Sequence, residues 1–178
     1  MDDVDPIYSV AVDPVYCPQC GTELGTREFD AGTYRWCPDC EMSFARNPLA
    51  AVHVVVVDGD EVLLLDEPIP QQEGVLSLPG GHAGHDEGPR EAVVRELHEE
   101  TGLRADPGDL SLVTVYHAET PRTAYHFATY RLDYADARGE VTPEAEGFEA
   151  ALRPLDAVLS GDLSLRDSDV ERIGMAVE

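Results

Sequence analysis

At 178 residues the chain has room for one ordinary domain and a small additional module, and an apolar fraction of 43% is enough to build a core. No apolar run is long enough to span a membrane and no basic-then-apolar leader opens the chain, so a cytoplasmic protein is expected. The formal charge of −24 arises from 36 acidic residues against 12 basic ones, all of them Arg, and it is spread along the whole sequence, a halophilic pattern suited to a salt-rich cytoplasm. With no basic patch, a nucleic-acid duplex is not the expected main partner.

Residues 1–15 are acidic with two prolines, and partial disorder is expected there. Two C-x-x-C pairs follow, Cys17/Cys20 and Cys37/Cys40, sixteen residues apart, which is the pattern of a tetrahedral zinc site. Between them Thr26–Phe29 and Thr33–Trp36 read as strands around an Asp30-Ala31-Gly32 turn. A zinc ribbon over residues 16–46 is the expected architecture. All four thiols serve as ligands, so the Zn²⁺ is structural, and a module this small needs the metal to fold. Its expected role is a folding staple or an element of a homodimer; the alternative is recognition of a partner or substrate.

Asn47-Pro48 marks the junction with a larger domain over residues 47–178. Ala51–Val57 and Glu61–Asp66 are expected strands around an Asp58-Gly59-Asp60 hairpin turn, and Pro68–Gly74 a loop. Residues Pro89–Thr101 read as a helix that stops at Gly102. Further strands are expected at Leu110–Ala118, Thr123–Leu132 and Phe148–Leu152, with a polar loop over 135–147 and a short helix at Leu155–Leu159. Ser168 and Glu171 have the spacing of a capping box for a last helix that presents Val170, Ile173 and Val177 on one face.

The densest chemistry lies in the Pro89–Thr101 helix and the loop before it. Glu96, Glu99 and Glu100 stand at i, i+3 and i+4 and share one helix face, with Val94, Leu97 and Thr101 forming the adjoining stripe that anchors the helix on a sheet. Three like charges side by side disfavour the helix unless a hard divalent cation joins them, and an all-oxygen set suits Mg²⁺ or Mn²⁺. Arg95 is four residues before Glu99 and is placed to orient a carboxylate. His82 and His85 share the loop and read as solvent-exposed.

From Gly81 the chain runs through five residues to Glu87, seven more to Arg95-Glu96-Leu97, and then Glu99-Glu100 and Gly102-Leu103. This spacing resembles the signature box of the Nudix hydrolases at every constrained position, and Leu78-Pro79-Gly80-Gly81 resembles the family's usual entry to the box. The resemblance covers the larger domain and implies an α/β/α sandwich with a mixed β-sheet. It also implies a nucleotide pyrophosphohydrolase that cleaves a nucleoside diphosphate linked to another moiety, an ADP-ribose-, NADH- or dinucleotide-like small molecule, by a metal-activated water. Carried over to this chain, Glu96, Glu99, Glu100 and the Gly80 carbonyl hold the catalytic Mg²⁺ or Mn²⁺, while Arg95 and Glu87 position the glutamates. The proton acceptor is Glu100, Glu144 or Glu146.

The order ribbon then box resembles the NADH pyrophosphatases, but their Ser-Gln-Pro-Trp-Pro-Phe-Pro run is absent, with Val113–Pro121 in its place. Neither Pro121 nor Tyr116 falls at the offset that marks ADP-ribose-cleaving or dinucleoside-polyphosphate-cleaving relatives. Tyr116, Tyr125 and Phe127 are either core or a stacking surface for a base. The alternative to an enzyme is a sensor or scaffold whose Nudix-like domain binds a nucleotide while the ribbon contacts a partner; such proteins often lose box glutamates, and this chain keeps them all.

Overall fold

The computed structural model describes residues 7–66, 74–121 and 123–178. Near the N-terminus, β1 (Ile7–Val10), β2 (Gly25–Phe29), β3 (Gly32–Cys37) and β4 (Met42–Arg46) make a four-stranded sheet in the order β1-β4-β3-β2. The β2–β3 hairpin turns tightly, with Phe29 opposite Gly32. Its buried interior is little more than Cys17, Leu24, Cys37, Met42 and Phe44, too few apolar groups to offset chain entropy unaided.

Two of these strands differ from the sequence expectation. Ile7–Val10, inside the acidic stretch expected to be partly disordered, pairs in parallel with β4 from Ile7↔Ser43 to Val10↔Arg46. Main-chain pairing orders a segment whose Ile7, Tyr8 and Val10 suit a strand, although the acidic, proline-containing stretch around it does not. The strand β4 itself was not anticipated, because Met42–Arg46 lacks clear alternation.

The second sheet is built on β5 (Leu49–Asp58), which hairpins into β6 (Glu61–Asp66) with Val57 opposite Val62. A three-residue strand β7 (Gly80–His82) lies on β5, and α1 (Pro89–Thr101) follows. The chain then forms β8 (Ser111–Glu119), β9 (Ala124–Asp133) and β10 (Glu149–Pro154), and ends in α2 (Leu155–Ser160) and α3 (Asp167–Val177). The strand order is β10-β6-β5-β9-β8, with β7 paired to β5. This is a mixed sheet with a helix layer on each side. The expected loop at Pro68–Gly74 lies outside the described residues apart from Gly74.

The unbroken run Val54-Val55-Val56-Val57 follows from this layering, since a strand covered on both faces gains nothing from alternation. Val52, Val54 and Val56 join Leu63 against Ala92, Val93 and Leu97 of α1. Val55 and Val57 join Leu64, Val158 of α2 and Ile173 of α3. Each fully buried Val or Leu contributes about 1.5–3 kcal/mol, so α1 is clamped by its apolar face. Gly102, at φ 72, ends α1 as expected, and its N–H donates to the His98 carbonyl.

The expected capping box of α3 does not form. Arg166 is the N-cap, and Ser168 is already inside the helix with its hydroxyl on the Asp169 carboxylate. The buried face of α3 also differs: Ile173 is on it, but so are Asp169, Arg172 and Ala176. By contacts the chain divides into two compact units, Met1–Leu49 with Ala118–Tyr125, and Ala50–His117 with His126–Glu178.

Candidate active site and cysteine cluster

The burial of α1 dictates what its other face carries. With Ala92, Val93, Leu97 and Thr101 packed inward, Arg95, Glu96, Glu99 and Glu100 are carried along the outer side. Arg95 is the hub of this surface. Its Nε and Nη2 form a fork on Glu87, at 3.0 and 2.7 Å, and Nη2 also donates to the His82 carbonyl at 2.9 Å. Its Nη1 reaches Glu99 Oε2 and Glu96 Oε1, each at 2.9 Å. The fourth carboxylate, Glu100, is held differently: its Oε2 accepts the Gly80 amide at 2.8 Å.

Two glycines are required by close approach. A Cβ on Gly81 would collide with the Glu96 carboxylate, and one on Gly80 with the Val52 carbonyl; Gly80 also has φ +150, which L-residues rarely adopt. The loop before α1 therefore lies against the glutamates as bare main chain. Glu100 further shares a narrow cavity of about 30 Å³ with Leu65, Glu144, Phe148 and Glu149. Glu144 and Glu146 are both exposed in one loop. His85 is 98% exposed and His82 is exposed, as their loop positions suggested.

Arg95 pairs with three carboxylates at once, which raises its own pKa, first through the fork on Glu87. Three glutamates in this array leave net negative charge around one cation. Their oxygens are the donors that a hard divalent cation takes.

A family profile for the NUDIX domain matches residues 47–172. The chain belongs to the Nudix family. Among its relatives, the NAD-capped RNA hydrolase NudC of Pseudomonas aeruginosa is 30% identical over 138 residues, covering 76% of this chain and 46% of that protein. The NudC of Stutzerimonas stutzeri is 27% identical with the same coverage. The ADP-ribose pyrophosphatase of Methanocaldococcus jannaschii is 33% identical over 108 residues, 58% of this chain and 63% of that one. The chain thus spans about half the length of the NudC proteins it matches. A Nudix hydrolase from Nitrosomonas europaea superposes with a TM-score of 0.61 at 21% identity, covering 89% of this chain and 87% of the other, a likeness of fold.

Outside the Nudix box, the four cysteines come together as a second candidate centre. Their sulfurs all lie within 4.8 Å of one another, and those of Cys20 and Cys37 are 3.5 Å apart. Sulfurs bound 2.3 Å from a tetrahedral zinc sit about 3.8 Å apart, so the cluster has the size and chemistry of a zinc-ribbon site. Three of the thiols, unligated, have shifted pKa values. Hydrogen bonding from Thr22 draws Cys20 down to about 6, and the hydrogen bond with Cys20 pushes Cys40 up to about 12.

Sequence reasoning missed one polar group. His53, Thr129, Asp169 and Arg172 meet on the α3 side of the sheet. The signal available was weak: a histidine interrupting the valines of β5, and an i,i+3 acid–base pair on α3 that reads as a solvated face. Of the aromatics, Phe127 packs on His53 at 4.9 Å, whereas Tyr116 and Tyr125 are half-buried.

The Arg95 fork makes a prediction for acid stability. It holds the Glu87 carboxyl at about 2, against an ordinary 4.5, with the Gly84 amide adding to the effect. A carboxylate depressed in the fold stabilises it above the unfolded-state value, and the gain disappears as pH falls toward the folded value. In metal-free protein, the stability advantage over Glu87→Gln should be constant above 4.5 and shrink between 4.5 and about 2. Urea unfolding at stepped pH measures it, and an advantage that stays level to the acid end contradicts the ion pair.

Proposed function

We propose that the protein is a metal-dependent pyrophosphohydrolase that cleaves the diphosphate linkage of a nucleoside diphosphate joined to a second moiety. The observation that carries this reading is the complete Nudix box folded into one array, with Arg95 tying Glu87, Glu96 and Glu99 together and Gly80 holding Glu100. Glu96, Glu99, Glu100 and the Gly80 carbonyl would hold Mg²⁺ or Mn²⁺. Such a cation neutralises phosphate oxygens and makes a bound water acidic near neutral pH.

The chain's own residues do the rest. Arg95, braced by Glu87, fixes the carboxylates in orientation so that little reorganisation accompanies the reaction. Glycine at positions 80 and 81 lets the loop main chain lie against β5 and the Glu96 carboxylate. For the proton acceptor, Glu100 and Glu144 are favoured over Glu146, because they line one cavity.

The substrate class is supported by the relatives. One is named an ADP-ribose pyrophosphatase and others NAD-capped RNA hydrolases. Both substrates have a nucleoside diphosphate linked to a second group. Capped RNA therefore belongs beside ADP-ribose among the substrates to try, although the surface charge of −24 opposes a long polyanion at low salt. We read that charge as salt adaptation, which would let a polyphosphate approach in molar KCl. The cysteine cluster is read as a structural zinc ribbon.

Turnover in molar KCl with Mg²⁺ or Mn²⁺, on ADP-ribose, NADH, NAD⁺, NAD-capped RNA, dinucleoside polyphosphates and nucleoside triphosphates, tests the reading, with products resolved by phosphorus NMR. One dominant diphosphate-linked substrate is expected; binding without turnover on any of them would favour a sensor. The Glu99→Ala/Glu100→Ala double variant should lose essentially all activity while keeping its fold, because the apolar face of α1 is untouched. Circular dichroism beside the assay separates the two.

Glu144→Gln should lower kcat about 10²- to 10⁴-fold with little change in KM. An unchanged kcat would remove Glu144 from the reaction and leave Glu100. Metal analysis should find one zinc per chain, and chelating it should loosen the N-terminal sheet, read by exchange of its amides, without directly emptying the Mg²⁺ or Mn²⁺ site.

A further inference from the structure

The apolar layer between β5 and α3 contains an arginine whose three side-chain nitrogens all donate to a partner. Arg172 is 3% exposed and Asp169 2%. Arg172 Nη2 donates to the Asp169 carboxylate, Nε to the Ser168 carbonyl at 3.0 Å, and Nη1 to Thr129 Oγ1 at 3.1 Å and His53 Nδ1 at 2.8 Å. The rings of Phe127 and Tyr116 stand over the guanidinium, with centroids 5.7 and 5.9 Å from Cζ. A buried ion pair of this kind is no cheap route to stability, since well-packed apolar residues of similar volume often serve as well or better. What it supplies is fixed orientation, and the group it orients is His53.

His53 is locked on two sides. Its Nδ1 accepts from Arg172, which leaves the ring proton on Nε2, and its face stacks on Phe127 at 4.9 Å with 32° between planes. The ring edge then meets Gly80, the register partner of His53 across β5 and β7. A Cβ on Gly80 would stand 2.8 Å from His53 Cδ2 and 2.7 Å from His53 Cα. The space a side chain at Gly80 would need is therefore taken by His53, while the Gly80 N–H holds Glu100. A continuous set of contacts runs from α3 through β5 to the box glutamates of α1.

We propose that Asp169, Arg172 and His53 are positioning residues that set the place of Gly80, and through it the main-chain side of the metal-binding array. This role builds on the reading of Gly80 and Glu100 as metal-site groups, and it reaches residues on the far side of the sheet from the α1 carboxylates. Outer partners of metal ligands typically alter affinity by about 10- to 100-fold when removed, because the ligand loses its preset geometry.

Three variants and two readouts test it. His53→Ala removes the ring beneath Gly80, His53→Phe keeps ring and stacking but accepts nothing from Arg172, and Arg172→Lys keeps a charge for Asp169 without the fork. The first readout needs no metal: hydrogen exchange at the Gly80 amide should speed up about tenfold or more in His53→Ala, and less in His53→Phe. The second is Mn²⁺ affinity by electron paramagnetic resonance, expected to fall about 10- to 100-fold. Arg172→Lys should move both the same way by a smaller factor, and it serves if His53→Ala does not fold. Variants that unfold cooperatively yet keep the Gly80 exchange rate and Mn²⁺ affinity of the unmodified protein would overturn the proposal and leave a purely structural ion pair. If the unmodified protein binds no Mn²⁺, the metal reading fails instead, and the exchange measurement still decides the positioning role.

Discussion

Crowding of negative charge on one face of a helix that cannot turn away is the constraint on which the site depends. Two unit charges 5 Å apart repel by about 3 kcal/mol at an effective dielectric of 20, and α1 carries three carboxylates within two turns. The helix has no rotation available, because its other face is clamped by Ala92, Val93 and Leu97 against β5. Arg95 relieves part of this by facing Glu87, Glu96 and Glu99 together. One guanidinium among four glutamates leaves a surplus, and that surplus is a standing attraction for a cation.

The two faces of β5 divide the work. Its even-numbered valines fix α1, and with it the direction in which the glutamates point. The odd-numbered side packs α2 and α3, and there His53 takes the place in the alternation that another valine would fill. Gly80 lies between these tasks: its amide faces Glu100 and its α-carbon faces His53. The sheet thus conveys position from its C-terminal helix to the box loop without any group having to move.

What the sequence made legible follows from how local each signal is. The box positions, the α1 stop at Gly102 and the C-x-x-C pairs are short-range patterns, and the structure gathers the box residues around Arg95 and the sulfurs within 4.8 Å as those spacings suggest. Turn signals located the hairpin strands to within a residue or two. By contrast, Ile7–Val10 is a strand through pairing with β4, a partner too distant in sequence for any local pattern to announce. Asp169 and Arg172 carry no local signal of their burial for the same reason. On a lone helix they look like a solvated i,i+3 pair, and only the meeting with Thr129 and His53 makes their burial tolerable. Glu144 was one of several equivalent loop acids until the fold set it beside Glu100.

The arginines clarify why a site like this would turn to a metal. The chain has no Lys, and its arginines are heavily committed to the protein itself. Arg35 is on Asp13, Arg138 on Asp106, Arg153 on Glu149, and Arg172 on Asp169. Arg90 and Arg131 donate to main-chain carbonyls, and Arg95 already serves the box. A diphosphate arriving at α1 brings further negative charge to a surface whose nearest cation is occupied. Neutralisation from solution, by a divalent ion at the glutamates and by salt over the rest of the surface, is the physical answer that suits both the local array and a net charge of −24. On the proposed reading, metal dependence and salt dependence would share one origin, the scarcity of uncommitted positive charge among the described residues.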